Sequence, residues 1–464
     1  MKKIVFTVVS AMLFSWQGPS YAASSVDALI QKLEDKGILT TQDAAQLKDE
    51  ISANEKTSQE TSFKGMLPDW LNTMKFSGDF RLRDQMERRQ VPGGSATGSH
   101  LERNRGRFRA RLNMEDQVND KLKVIFGLAT NGENSIGNGN PRSNNITFGG
   151  NNGTEGSFNK PTVVINKAYA VYTPTSFMTL MGGKLDNPMW EPASLLWDPD
   201  ITPEGGTIQL QKKINDYFTP FSTTSFFVLK DAAPSTAVTA FKTDPYMFVT
   251  QNGVKGNLTE KVYYKGALSY YNISNHNRVN LDFRPSAPGA SGTNNTNSMS
   301  TVTGTYTYGF NVIGGSVDLG MNDPFGELLP SPIYIPQIGV FGQYFDNMTP
   351  SRQHTTWQLG YYMGSSAING WGTWKIQTYY KVLERDSWLD ILPDDDFYSG
   401  ATDTHGWRTE LDVGLAKNTW FTFSWFSTDV WKHIPHLLNG ATNDVAFSKS
   451  APETLFQADL NFKF

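Results

Sequence analysis

Three features of this sequence predict an all-β transmembrane barrel of about sixteen antiparallel strands, closed, with a short periplasmic helical segment ahead of it. From Thr73 onward, apolar and polar residues alternate in stretches of roughly ten, the length of a tilted membrane-crossing strand. Between these stretches, short polar turns alternate with long Gly-, Asn-, Ser- and Pro-rich segments, as they do when the two rims of a barrel differ. The chain closes on "FQADLNFKF", which puts Phe456, Ala458, Leu460, Phe462 and Phe464 on one face and Gln457, Asp459, Asn461 and Lys463 on the other.

At the start, Lys2 and Lys3 precede an apolar run from Ile4 to Trp16 that leads to Ser20-Tyr21-Ala22. A basic start, a short hydrophobic stretch and a small-residue cleavage site predict an export signal over 1–22, too short to span a bilayer. Its removal takes away two lysines and no acids, so the formal charge goes from −4 to −4 − 2 = −6. Residues 23–66 keep helical spacing instead. Val26, Leu29, Ile30 and Leu33 form one apolar stripe and Ala44, Leu47 and Ile51 a second, with Gly37 and Thr40 as stop and start. Two short amphipathic helices and a polar linker follow, either a solvated tail or a small coiled-coil or docking module.

The barrel domain is then 67–464. Its first strand, "KFSGDFRLR", sets Phe76, Gly78, Phe80 and Leu82 against Lys75, Ser77, Asp79, Arg81 and Arg83. "VNDK" (118–121), "TPTS" (173–176) and "AKN" (416–418) are tight turns; 131–161, 274–300, 385–405 and 430–452 are long loops. "NVIGGSVDLGM" is read as a single strand. An even strand number places both ends of the barrel on the periplasmic side.

Charged residues make up 19% of the chain and mean hydropathy is −0.42, values that argue against a helical membrane protein. With no cysteine, there is no disulfide framework, thiol chemistry or thiolate metal site. Net acidity gives no footprint for nucleic acid.

The segment "RNRGRFRARL" carries Arg103, Arg105, Arg107, Arg109 and Arg111 at period two, with Phe108, Ala110 and Leu112 between. An arginine facing lipid at mid-bilayer costs roughly 2–4 kcal/mol, and a one-residue slip exchanges the two faces. The guanidiniums are therefore predicted to face an aqueous lumen. Arg81, Arg83, Arg105, Arg107, Arg109 and Arg111 make a positive wall that favours anions. The bland alternative is that they only pair with acids such as Glu115, Asp79, Glu410 and Asp412.

The stretch "GGKLDNPMWEPASLLWDPDITPEGG" (182–206) contains the third outward loop, stiffened by Pro188, Pro192, Pro199 and Pro203 and carrying Glu191, Asp198, Asp200 and Glu204. It is either an ordinary surface loop or a packed element. This stretch, the arginine segment running on to "NMEDQVNDKLKVIFGLATNG", and "YYKVLERDSWLDILPDDDFYSGATDTHGWRTELDVGL" resemble the motifs of the bacterial "putative porin" family. So do the exported start and the segment ending in "KGILTTQDAAQL", and the terminal strand resembles an outer-membrane assembly signal. The resemblance implies an outer-membrane channel with no catalytic residues. If the third loop folds inward as in general-diffusion porins, Asp198, Asp200 and Glu204 form an acidic edge opposite the arginines.

The expected protein is thus a passive porin for small hydrophilic solutes with an anion preference. Its partners would be the outer-membrane bilayer, small solutes or ions and a homotrimer; it needs no cofactor and no metal. A receptor or adhesin barrel without open conductance is the alternative. An enzyme finds little support: His100, His276, His354, His405, His433 and His436 sit beside no persuasive nucleophile. Asp394, Asp395, Asp396 and Asp403 lack the spacing of a calcium loop and are read as solvated. Trp357, Trp371, Trp374, Trp407, Trp420, Trp425 and Trp431 read as interfacial anchors.

Overall fold

The structure is a computed structural model that describes residues 74–90, 100–131, 140–150, 158, 160–231, 244–277, 281, 296–298, 305–326, 334–432 and 450–464. The export signal and the helical segment 23–66 lie outside the described residues.

Alternation from Lys75 onward becomes a closed antiparallel sheet. The strands are β1 (Lys75–Gln90), β2 (His100–Asn119), β3 (Leu122–Asn131), β4 (Ile146–Thr147), β5 (Thr162–Thr175), β6 (Met178–Lys184), β7 (Glu204–Gln211), β8 (Thr219–Val228) and β9 (Tyr246–Asn257). They continue with β10 (Val262–Ser274), β11 (Phe310–Asn322), β12 (Gln337–Asn347), β13 (Thr355–Gly364), β14 (Trp374–Leu383), β15 (Thr404–Ala416), β16 (Thr419–Val430) and β17 (Glu453–Lys463). The two-residue β4 is an appendage on β2, at Arg107 and Phe108. The other sixteen pair in sequence order and close through β1 and β17, which is the predicted strand number.

The seam runs in register from Asp79–Lys463 to Arg89–Glu453. Backbone bonds extend it at one end: Gly78 N–H donates to Phe464 O (2.9 Å) and Phe464 N–H to Gly78 O (3.1 Å). A Cβ on Gly78 would lie 2.6 Å from the Phe464 ring, so glycine is what lets the last aromatic residue lie across the seam.

Outward-facing residues are apolar and exposed, among them Phe76, Leu82, Met86, Ile208, Leu268 and Val317. Their neighbours in sequence point inward and are polar on β1, β2 and β17, where Arg83, Gln85, Arg107, Gln457 and Asp459 are buried. Tight turns lie at 120–121, 176–177 and 417–418, with Asn418 at φ 58°. The rule of short turns and long loops fails around β12 and β13. Residues 323–336, on the short-turn rim, outnumber 348–354 on the opposite rim. "NVIGGSVDLGM" is one strand, as read.

The barrel also encloses a hydrophobic core. From β8 to β12, inward residues toward the long-loop rim are apolar: Phe227, Met247, Val249, Tyr271, Ile273, Phe310, Val312 and Phe345. Two loops cover them from inside, the third outward loop (185–203) with Leu195, Leu196 and Trp197, and the seventh (384–403) with Trp388, Leu389 and Leu392. Trp388 packs edge-on against Tyr271 (4.9 Å) and Trp197 (6.1 Å), and its indole N–H donates to Leu196 O (2.7 Å). In sequence, broken alternation in "SFFVL" and "YMFV" marks these two-sided strands.

Leu268 is 71% exposed at the middle of β10. Leu268→Arg is expected to destabilise the barrel by about 2–4 kcal/mol in equilibrium refolding into phospholipid, whereas Leu268→Ile should be near neutral.

Candidate functional site

Pairing of β1 with β2 sets Arg81 opposite Arg109 and Arg83 opposite Arg107, with Asp79 opposite Arg111 and Gln85 opposite Arg105. Like charges directly opposite repel, so carboxylates must join them. Closure supplies Asp459, register partner of Arg83 on β17. Arg83 holds it in a fork (2.8 and 2.9 Å) and reaches Asp396 of the seventh loop at 3.0 Å. Arg81 donates to Asn145 Oδ1 (2.5 Å) and lies 3.6 Å from Asp459. Arg107, 2% exposed, donates to Gln85 Oε1 (3.1 Å), and Arg105 lies 3.5 Å from Glu87. Arg109 and Arg111 both grip Asp79 (2.8 and 2.7 Å) and both face Asp200 of the third loop (3.6 and 3.3 Å).

All six wall arginines thus share one inner face. Of the acids first considered as their partners, only Asp79 meets them. Glu115 goes to Lys123, Glu410 to Arg408, and Asp412 accepts from the Thr422 hydroxyl. Asp459, Asp396 and Glu87 were missed. Asp459 was visible on the polar face of the last strand, but its neighbour is known only once the barrel closes.

The third loop folds inward. Gln251 of β9 clasps the Trp190 backbone on both sides (2.9 Å each), Gln358 of β13 donates to Ala193 O (2.9 Å) and Lys381 of β14 to Ser194 O (3.1 Å). Asp200 then meets the arginines of β2, so the loop spans the lumen. Glu191 accepts from the N–H groups of Leu195 and Leu196 (3.0 and 3.3 Å), holding the loop's own turn. Burial pushes its carboxyl up to about 7 against those two bonds.

The acidic edge divides. Asp200 faces the arginines. Asp198, 2% exposed, instead faces Asp394 and Asp395, with carboxylate oxygens within 4.8 Å of one another. Burial, then Asp395 and Asp394, pushes its carboxyl well above the ordinary range. These oxygens accept from the Asp200 and Asp395 N–H groups, and those of Asp394 from Asp396 N–H and Arg408. Glu204 shares the register parity of the exposed, lipid-side Ile208 and Leu210 and pairs with Lys184 (3.0 Å). It is off the lumen row because period-two alternation along the strand puts residue 204 on the same face as 208 and 210.

The seventh loop corrects the reading of Asp394 and Asp403 as solvated, while Asp395 and Asp396 are half-buried. Asp390 and Asp403 are fully buried and Asp394 nearly so. Asp390 accepts from Thr296 N–H (2.6 Å) and the Tyr306 hydroxyl (2.8 Å), and Asp403 faces Arg385 (3.5 Å). Arg142 of the second loop donates to the carbonyls of Asp390, Pro393 and Gly400 (3.3, 3.1 and 3.2 Å). Burial raises the Asp396 carboxyl, but Arg83, Arg107 and Arg81 outweigh it and hold the group well below the ordinary carboxylate range.

A closed barrel, apolar outside, with a charged inner wall faced by an inward loop, is an outer-membrane channel of the porin type. The chain belongs to the family described as "Putative porin", whose profile matches residues 94–308 and 340–464. Among solved structures, it is similar to a mutant of Rh. blastica porin (TM-score 0.40, 11% identity, 84% of this chain and 100% of that one). It is also similar to a triple mutant of Rhodopseudomonas blastica porin (TM-score 0.38, 9% identity, 84% and 100%). No curated protein matches the chain.

A carboxyl held at about 7 when folded, against an ordinary 4.5, contributes stability that is full below pH 4.5 and lost as pH rises through 7. The protein is expected to unfold at lower urea concentration at pH 8 than at pH 5. Glu191→Gln should flatten that difference, worth up to about 3 kcal/mol.

Proposed function

We propose that the barrel is a passive, water-filled pore for small hydrophilic solutes with a moderate preference for anions. The observation that carries this reading is Asp200 facing Arg109 and Arg111 at 3.6 and 3.3 Å from an inward loop. Charges of opposite sign on facing elements set a field across the passage. Among the described residues, the six wall arginines meet the carboxylates of Asp79, Asp200, Asp396, Asp459 and Glu87. Their excess is therefore smaller than the arginine count implies. Solutes follow their own gradient, and the reading requires neither a reaction nor a cofactor.

The rim that carries the tight turns and both ends of the barrel is assigned to the periplasm, downstream of an export signal at 1–22 and a helical segment at 23–66. A homotrimer fits the shallow apolar recess on the outward face, lined by Val254, Gly266, Leu268, Gly315 and Val317. A second reading, a barrel that binds without conducting, is favoured by the apolar filling of the lumen between the third and seventh loops. Single-channel conductance of the refolded protein separates the two.

Arg109→Gln with Arg111→Gln is expected to lower the anion-over-cation permeability ratio by about fivefold, since a charge at about 4 Å is worth about 1 kcal/mol in water. Asp200→Asn should raise the ratio. Reversal potentials in a KCl gradient across planar bilayers measure both. Identical potentials in all three proteins would remove the filter and leave the barrel intact.

A further inference from the structure

On the tight-turn side of the third loop, the lumen wall holds a recess of about 300 Å³, at the lower end of small-ligand sites. Pro188 and Trp190 of the loop form one side, and inward residues of β6 to β10 the other. Register aligns Thr179, Gln209, Thr223 and Gln251 as one row across four strands. Gln251 is committed, since it clasps Trp190 and donates to Ser269 Oγ (3.0 Å). That clasp fixes Trp190 in place. Gln209, Thr223 and Thr179 line the recess with side chains that make no hydrogen bond to other described residues.

Four residues nearer the tight-turn end of β10 than Ser269, the partner of Gln251, stands Lys265, its Nζ 4.3 Å from the Trp190 ring centre and 5.1 Å from that of Phe221. Its register partner on β9 is Lys255, a like charge directly opposite. Its partner on β11 is Asp318, which accepts from the Tyr362 hydroxyl (2.9 Å). Among the described residues, neither lysine has a carboxylate within 4.0 Å, in contrast to the arginine wall. The two lysines repel each other, and Asp318 opposes Lys265 from the other side at more than 4.0 Å.

We propose that the recess is a subsite for a small polyhydroxylated carboxylate, with the carboxylate on Lys265 and the hydroxyls on Gln209 and Thr223. The inference deepens the pore reading and rests on it for access. A neutral sugar would need an open aromatic face, and the Trp190 face is covered by Lys265. An inorganic anion would leave the amide and hydroxyl row unused.

The test is current block of the full-length protein in planar bilayers by sodium gluconate, with sorbitol as the neutral comparison. Saturable block by gluconate alone is expected. Loss of a charge-assisted contact should raise the half-block concentration about tenfold in Lys265→Gln, with a severalfold rise in Gln209→Ala. Block that never saturates, equal block by sorbitol, or an unchanged half-block in both variants would overturn the subsite. Conductance in KCl decides the pore reading independently. If the protein carries no current, calorimetric titration of the detergent-solubilised protein with gluconate decides the subsite. Saturable heat in wild type that is lost in Lys265→Gln supports it; no heat in wild type overturns it.

Discussion

In hydrocarbon an open strand edge leaves backbone N–H and C=O groups with no partner, so the whole architecture depends on the pairing of β1 with β17. That pairing has one register, and side chains alternate with period two. Closure therefore sends Arg81 and Arg83 inward and Phe80 and Leu82 outward in the same act, and brings Asp459 beside Arg83. A slip of one residue would put guanidiniums in lipid and phenyl groups in the lumen. Strand pairing, membrane orientation and lumen electrostatics are thus a single constraint.

The arginine wall also anchors the loops. Arg83 ties β1 to both β17 and the seventh loop, and Arg109 and Arg111 tie β2 to the third loop. The charges of the wall and the clamp on the loops share the same contacts, so altering the charge alters how firmly the loops are held. Buried ion pairs gain little net stability over apolar packing, but removing one partner leaves an uncompensated charge. These pairs therefore constrain position more than they add stability. Among the described residues, Lys255 and Lys265 have no carboxylate within 4.0 Å, and Asp318, the register partner of Lys265, forms no such clamp.

Apolar inward residues on β8 to β12 explain why the loops enter at all. A bare lumen there would expose Met247, Tyr271 and Phe310 to water; the third and seventh loops bury them, with Trp388 at the junction. One side of the barrel interior is packed as a protein core, and the charged wall opposite keeps its polar face.

Strand number, the inward direction of the arginines, the outward phenyl rows and the third-loop position were all legible in the sequence, because period-two alternation is a local property of consecutive residues. The entry of the third loop into the lumen was suggested by its prolines and tryptophans and by the family resemblance. Which carboxylate meets which arginine was not legible. Asp459 lies 376 positions from Arg83, and Asp198 turns away from the arginines while Asp200, two residues on, faces them. The seventh-loop acids looked solvated because charge in a loop normally is; burial of Asp390 and Asp403 depends on Thr296, Tyr306 and Arg385 arriving from elsewhere. The sequence by itself determined which face of each strand meets lipid, since that choice is made within a few neighbouring residues. Only the tertiary structure decided the ion pairs, the core inside the barrel and the Lys265 recess, since each needs residues that closure and loop folding bring together from distant parts of the chain.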